Sequence, residues 1–414
     1  MKIFKFGGAS VKDAKSISNV AKILKSEGYQ DVFLVISAMG KMTNAFEKIV
    51  DSYHTKSNEL TKNISSVRNF HILILNDLFQ EKHPIYEKVA LLFLELQNFF
   101  IQNKNSNYDY IYDQIVGYGE LLSTLIISDY LNNIGISNAW KDARKLIKTD
   151  TTYRNATVNW IETNSNIQKN SCTDQLCITQ GFISGSASHN TTLGREGSDY
   201  SAAIFAYCLH ADSLTIWKDV PGVLNADPRH FDQTILLEQI SYREALEMAF
   251  YGASVIHPKT IKPLENKNIP LYVKSFIDPT AKGTKITKGI AIKPKTSSYT
   301  IKSNQILLSI STKDFSFMIE SHISHLFKLF TENKITVNLI QNSALSFSVC
   351  IEDLYGKFKN LTKELLQHYD IKYIDDVRLL SIRHFQQKDM DQILSKNTVL
   401  LTQQTSEIVQ FILK

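Results

Sequence analysis

The 414-residue chain has little of what marks several classes of protein. Cysteine occurs four times, as Cys172, Cys177, Cys208 and Cys350, with neither zinc-ligand spacing nor the density of a disulfide scaffold. Free thiols in a reducing compartment, the cytoplasm, are expected. No charged N-terminal region leads into a long apolar run, and the most apolar stretch, residues 89–101, is interrupted by Glu95, Gln97 and Asn98. Neither secretion nor a membrane partner is indicated. The net charge is only +5 and the basic residues are scattered, so no nucleic-acid partner is expected. Gly-x-x-x-x-Gly-Lys-Ser/Thr and His-Arg-Asp are both absent, which argues against a P-loop enzyme and a serine/threonine protein kinase.

What remains is an ordinary globular composition, 43% hydrophobic and 21% charged, with length for two or three domains. Strands and helices alternate to about residue 280, the pattern of a mostly parallel α/β domain. Predicted strands are 32–36, 176–183, 214–217 and 269–273, with helical spacing at 200–210 and 242–251 and a helical excursion over 58–102. From Ala281 to Lys302 the periodic pattern gives way to Lys, Thr, Ser and Gly, as in a linker. A large domain is therefore expected over 1–285, a linker over 286–302 and a smaller region over 303–414. That region restarts as strand, helix, strand, strand, helix, strand over 303–376, and an incomplete second copy without its last helix follows over 377–414.

Four clusters carry chemistry. Residues 2–10 put a short strand, Lys5 and Gly7-Gly8 ahead of a helix that Ser10 and Asp13 would cap. Glycines at positive φ there would aim N–H groups at an anion, beside the charge of Lys5 and a helix pole. An ordinary strand, turn and helix with a surface lysine fits the same residues. In residues 191–199, Arg195 between glycines suits a bidentate grip on a carboxylate, whereas Ser198 or Asp199 alone would merely cap a helix. Residues 217–229 read as turns when taken alone. Residues 117–123 place Glu120 in an otherwise apolar helix, where a lone glutamate is usually solvated.

In order, Lys5-Phe-Gly-Gly-Ala-Ser10, Ser37-Ala-Met-Gly-Lys-Met-Thr-Asn44, Gly119-Glu-Leu-Leu-Ser123, Gly194-Arg-Glu-Gly-Ser-Asp199, Lys218-Asp-Val-Pro-Gly222 and Gly252-Ala-Ser-Val-Ile-His-Pro258 resemble the motifs of aspartate kinases. The resemblance covers nearly the whole chain. It implies the amino-acid kinase fold, a three-layer α/β/α sandwich with a mostly parallel central sheet, followed by ferredoxin-like α+β ACT units, in a monofunctional enzyme. It also implies phosphorylation of the L-aspartate β-carboxylate with ATP and Mg2+, at the head of lysine, methionine and threonine synthesis. By matching positions, Lys5 and Asp199 are the expected catalytic pair. Lys5, Gly7, Gly8, Ser10, Lys218, Asp219, Leu224 and Arg229 would bind ATP, and Thr43, Glu120, Arg195 and Ser198 would bind aspartate. Mg2+ would be held mainly through the ATP phosphates. A carboxylate with a pKa of about 4 needs no strong base, so such a site must supply positioning and positive charge.

The chain departs from the family pattern at Ala9, Glu196, Lys218, Leu224 and Ser254. Glu196 would pair with Arg195 or contribute to metal binding, and Lys218 would restore a charge missing at Ser254. The ACT resemblance implies a homodimer and an amino-acid effector, with Ser321, His322, Ile323, Val337 and Asn338 as candidates. Asn338 stands where lysine-sensitive relatives carry an aspartate, and 321–323 lack their glycine, so lysine, threonine, another effector or none stay open. His322 and His325 lie one helical turn apart without a third metal ligand. A kinase of glutamate or N-acetylglutamate, and a catalytically weak amino-acid sensor, are the alternatives.

Overall fold

Parallel strands need crossover connections, and the first part of the chain supplies helices for them. The structure is a computed structural model that describes residues 1–170, 175–253 and 255–414, so Cys172 and Ser254 lie outside the described residues. One compact unit consists of Met1–Val223, Leu236–Leu246 and Val255–Lys293. A second takes Leu224–Ile235, a short segment from Glu247, and Pro294–Lys414. Segments 224–235 and 247–253 thus leave the large domain expected over 1–285.

The strands of the first unit are β1 (Lys2–Phe6), β2 (Val32–Ile36), β3 (Asn138–Lys141), β4 (Leu176–Gln180), β5 (Ile183–Gly185), β6 (Asn190–Thr192), β7 (Ser213–Lys218), β8 (Gln239–Ser241), β9 (Leu271–Ser275) and β10 (Thr284–Thr287). Eight form one sheet in the order β3-β4-β2-β1-β7-β9-β10-β8, parallel except for β9 with β10, while β5 and β6 make a separate antiparallel pair. β2 is buried along its whole length, as its unbroken apolar run predicts. The expected strand 176–183 is broken, because Phe182 at φ +66 turns the chain between β4 and β5. β1 pairs with β2 on one side and β7 on the other, so the strand order reverses there, and the carboxyl ends of these parallel strands open onto one edge. The excursion over 58–102 forms helices Leu60–Leu78 and Ile85–Gln102. Among the described residues no helix is long and apolar enough to cross a membrane.

The second unit carries β11 (Ser298–Thr312), β12 (Thr336–Asn342), β13 (Ser346–Glu352), β14 (Tyr369–Arg383), β15 (Val399–Gln404) and β16 (Ile408–Leu413) in one antiparallel sheet of order β12-β13-β11-β14-β16-β15. The linker expected over 286–302 is corrected here. Ser298 to Lys302 pair with Leu379 to Arg383, which in turn face β16, so these residues are a strand of the second copy. The boundary at 376/377 likewise falls inside β14. Polar composition concealed the strand because its buried positions are Ser298 and Thr300, while only Tyr299 and Ile301 pack on the hydrophobic core from the alternate positions. A register shift between Lys302 and Gln305 marks where one copy passes to the next.

Cys208 and Cys350 are free and buried, whereas Cys177 is disulfide-bonded, contrary to the expectation of free thiols throughout. Spacing that excludes zinc does not exclude a single cross-link.

Candidate active site

β1 carries Lys5 toward the edge where strand order reverses, and the helix Gly197–Cys208 brings Asp199 to it from its first turn. Lys5 Nζ lies 2.6 Å from Asp199 Oδ1, and Lys218 Nζ, from the end of β7, lies 3.3 Å from Oδ2. Asp199 is fully buried; burial pushes its carboxyl upward, but the two lysines outweigh this and hold it below the usual range. The side chain is therefore ionised, with one ammonium on each oxygen. Lys218 also donates to the Val255 carbonyl at 2.6 Å.

The glycine pair works differently from the sequence expectation. Gly7 has φ −79 and ψ 169, and neither Gly7 nor Gly8 has positive φ. Gly8 is needed for close approach: a Cβ there would sit 2.7 Å from the Gly40 carbonyl oxygen and 2.8 Å from that of Ala38. Gly40 donates its N–H to Gly8 at 2.9 Å, locking the loop after β1 to the loop after β2. The left-handed residue is Gly40, at φ +53. The expected helix cap also moves. A 3-10 turn fills Gly8–Val11, and the helix Ala14–Glu27 is capped by Asp13, whose carboxylate accepts from Ser16 N–H at 2.7 Å. Ser10 is buried, and its hydroxyl donates to the Trp217 carbonyl at 3.4 Å.

Glu120 is no solvated helix residue. It is 2% exposed in the helix Tyr118–Asn133, with Oε1 accepting the Ala38 N–H at 3.3 Å and Oε2 unpartnered among the described residues. Burial pushes its pKa up to about 8. A buried carboxyl with a free oxygen suits a cationic group arriving from a ligand.

A cavity of about 560 Å³ joins these parts, bringing together the expected residues Lys5, Gly8, Thr43, Glu120, Arg195 and Ser198. Arg195 is exposed and has no hydrogen bond or ion pair among the described residues; Glu196, at φ +53, also lines the cavity without pairing with it. Arg154, Tyr112 and Phe182 line the cavity too, and the sequence analysis missed them. Arg154 lies in an irregular loop with no motif; only Phe182, beside Gly181, carried a turn signal. Asp219 is exposed just beyond β7. Leu224 and Arg229 belong to the second unit, where the Arg229 guanidinium pairs with Asp227 at 2.6 Å.

Among the effector candidates, Ser321, His322 and Ile323 lie in the first turn of the helix Glu320–Glu332, and Val337 and Asn338 lie in β12 at a register shift. His322 and His325 both hydrogen-bond the Tyr369 hydroxyl, at 3.4 and 3.1 Å. No group of three metal-ligating side chains occurs among the described residues.

The amino acid kinase family profile matches residues 1–275. Lysine-sensitive aspartokinase 3 of Escherichia coli is 30% identical over 356 residues, covering 84% of this chain and 78% of its own. The bifunctional aspartokinase/homoserine dehydrogenase of Buchnera aphidicola is 31% identical over 392 residues, 88% of this chain, which spans 46% of that longer protein. The crystal structure of E. coli aspartokinase III in complex with aspartate and ADP superposes with a TM-score of 0.84 at 26% identity, covering 100% of this chain and 96% of that one. The Lys5–Asp199 ion pair, the buried Glu120 and this similarity along the chain agree: the protein belongs to the aspartokinase family within the amino acid kinases.

Proposed function

We infer that the cavity binds L-aspartate and that ATP phosphorylates its β-carboxylate to 4-phospho-L-aspartate, the first step toward lysine, methionine and threonine. The observation that carries this reading is the buried Asp199 with an ammonium on each oxygen, beside a cavity that also holds Arg195, without a partner among the described residues, and a buried glutamate. Arg195 suits the α-carboxylate and Glu120 the α-ammonium, with Thr43 and Ser198 completing the contacts. The β-carboxylate, already ionised, faces the γ-phosphoryl group. Attack on phosphorus forms the new C–O–P bond and breaks the bond to the β-phosphate bridge, so ADP leaves. Lys5 and Lys218 offset the repulsion between the two anions, and the loops joined at Gly8 and Gly40 hold backbone groups beside the phosphates. Ser10, Gly7, Asp219, Leu224 and Arg229 remain candidates for the nucleotide on the family pattern.

Each Asp199 oxygen faces a lysine, which leaves that carboxylate to the two ammonium groups. The ATP phosphates would be the main ligands of Mg2+, where it would neutralise charge.

The C-terminal sheet suits an ACT regulatory role and a homodimer formed through it, its outer strands β12 and β15 leaving backbone groups open to pairing. Purified protein with ATP, Mg2+ and L-aspartate should form an acyl hydroxamate when hydroxylamine is present. Turnover of glutamate or N-acetylglutamate instead, or ligand binding with no turnover at all, would reject the assignment.

A further inference from the structure

We propose that Arg154 is a second guanidinium of the acceptor pocket and holds the α-carboxylate of the amino acid together with Arg195, which makes it a specificity-determining residue; this rests on the reading of the cavity as the aspartate site. Arg154 and Arg195 line the same cavity. Their segments meet at Gly194, where a Cβ would lie 3.1 Å from the Arg154 carbonyl oxygen. A single buried carboxylate ties the two segments together. Asp113, 1% exposed, accepts the Arg154 N–H at 3.1 and 3.0 Å, the Thr192 N–H at 3.0 Å and the Thr192 hydroxyl at 2.8 Å, and Thr192 precedes Arg195 by three residues.

The backbone at Arg154 is costly. Its φ of +65 is a left-handed conformation that disfavours a side chain. Glycine would avoid this cost, so a long cation here points to use of the side chain. The guanidinium is steered rather than loose: it lies 4.5 Å above the Tyr112 ring centre and pairs with Asp109 at 3.2 Å. That ion pair engages only Nη1, and the fork keeps donors for an anion. Two guanidinium groups line this one cavity, and a carboxylate is the anion a free amino acid brings to them.

Arg154→Gly is the informative variant, because glycine accepts this φ and retains the N–H bonds to Asp113. Steady-state kinetics with L-aspartate and with L-aspartate α-amide, which keeps the β-carboxylate but loses the α-charge, should be read beside the thermal shift that aspartate produces. The variant should raise the KM for aspartate about tenfold or more, keep the ATP KM, and shrink the preference for aspartate over its α-amide, with partial recovery in Arg154→Lys. A parent-like aspartate KM in Arg154→Gly, or equal losses for both acceptors, overturns the proposal while leaving the assignment of the enzyme intact. A parent protein with neither turnover nor an aspartate-dependent thermal shift overturns both.

Discussion

Lys218 Nζ stands 3.3 Å from Oδ2 of Asp199, on the side of the carboxylate that Lys5 leaves open. The family resemblance implies a lysine at position 254, where this chain has serine; we propose that Lys218, from the end of β7, restores that charge. Replacing Lys218 by Ala should raise the ATP KM and lower kcat about tenfold, and Lys5→Ala, which also strands a buried charge, should cost about a hundred- to a thousandfold in kcat. Initial-rate measurements over ATP concentration decide this. A parent-like ATP KM in Lys218→Ala would remove the compensating role.

With Glu120 receiving the α-ammonium as proposed, acceptor binding depends on pH. Burial puts its pKa at about 8, so below that pH the empty site holds the carboxyl protonated. An incoming ammonium favours the ionised form, so binding must release the proton, and the affinity falls as pH drops. Between pH 8 and 6 the aspartate KM should rise by up to about tenfold per pH unit. Glu120→Gln should abolish that slope and weaken binding at pH 8.5. An unchanged slope in the variant would place the titrating group elsewhere.

Gly7 and Gly8 look equivalent in sequence and are not in space. A methyl at Gly7 meets only the flexible end of Lys5, at 3.4 Å, whereas one at Gly8 meets two backbone carbonyls under 3 Å away. Gly8→Ala should therefore separate the loops after β1 and β2 and depress kcat about a hundredfold. Gly7→Ala should retain the larger part of the activity. Crystal structures of both variants, set beside their rates, would test whether loop separation is the cause.

These cases show how far the residues could be read in advance. β2 and the alternating strands and helices were legible, because apolar runs and their periodicity carry a direct physical signal; the Lys5–Asp199 pair was expected only from the resemblance to aspartate kinases, since Asp199 alone reads as a helix cap. The strand at 298–302 was not, since buried hydroxyl residues alternate with only two apolar ones, Tyr299 and Ile301, and its partner lies about eighty residues later. The role of Gly8 was misread as a matter of φ, because contact with a second loop leaves no local trace. Arg154 escaped for the same reason: its position depends on Asp113, forty-one residues earlier.

Asn338 bears on regulation. Its Oδ1 accepts from Lys302 Nζ at 2.8 Å, and its Nδ2 donates to Gln305 Oε1 at 2.7 Å. Lys302 further donates to the Phe250 carbonyl at 3.0 Å, within the second unit. The amide that stands where, by the resemblance, lysine-sensitive relatives carry an aspartate thus already holds an ammonium from this chain. A lysine effector bound at Asn338 would have to displace Lys302, whose partly buried ammonium is anchored at two acceptors. Lys302→Met should therefore increase sensitivity to lysine several-fold, and adding Asn338→Asp should increase it further, by about tenfold, because a carboxylate binds a cation more strongly than an amide. Asn338→Asp alone should change little, since the new carboxylate pairs with Lys302. Lysine inhibition curves for the four proteins test this. If Lys302→Met and the parent share one curve, Lys302 does not guard a lysine site at Asn338.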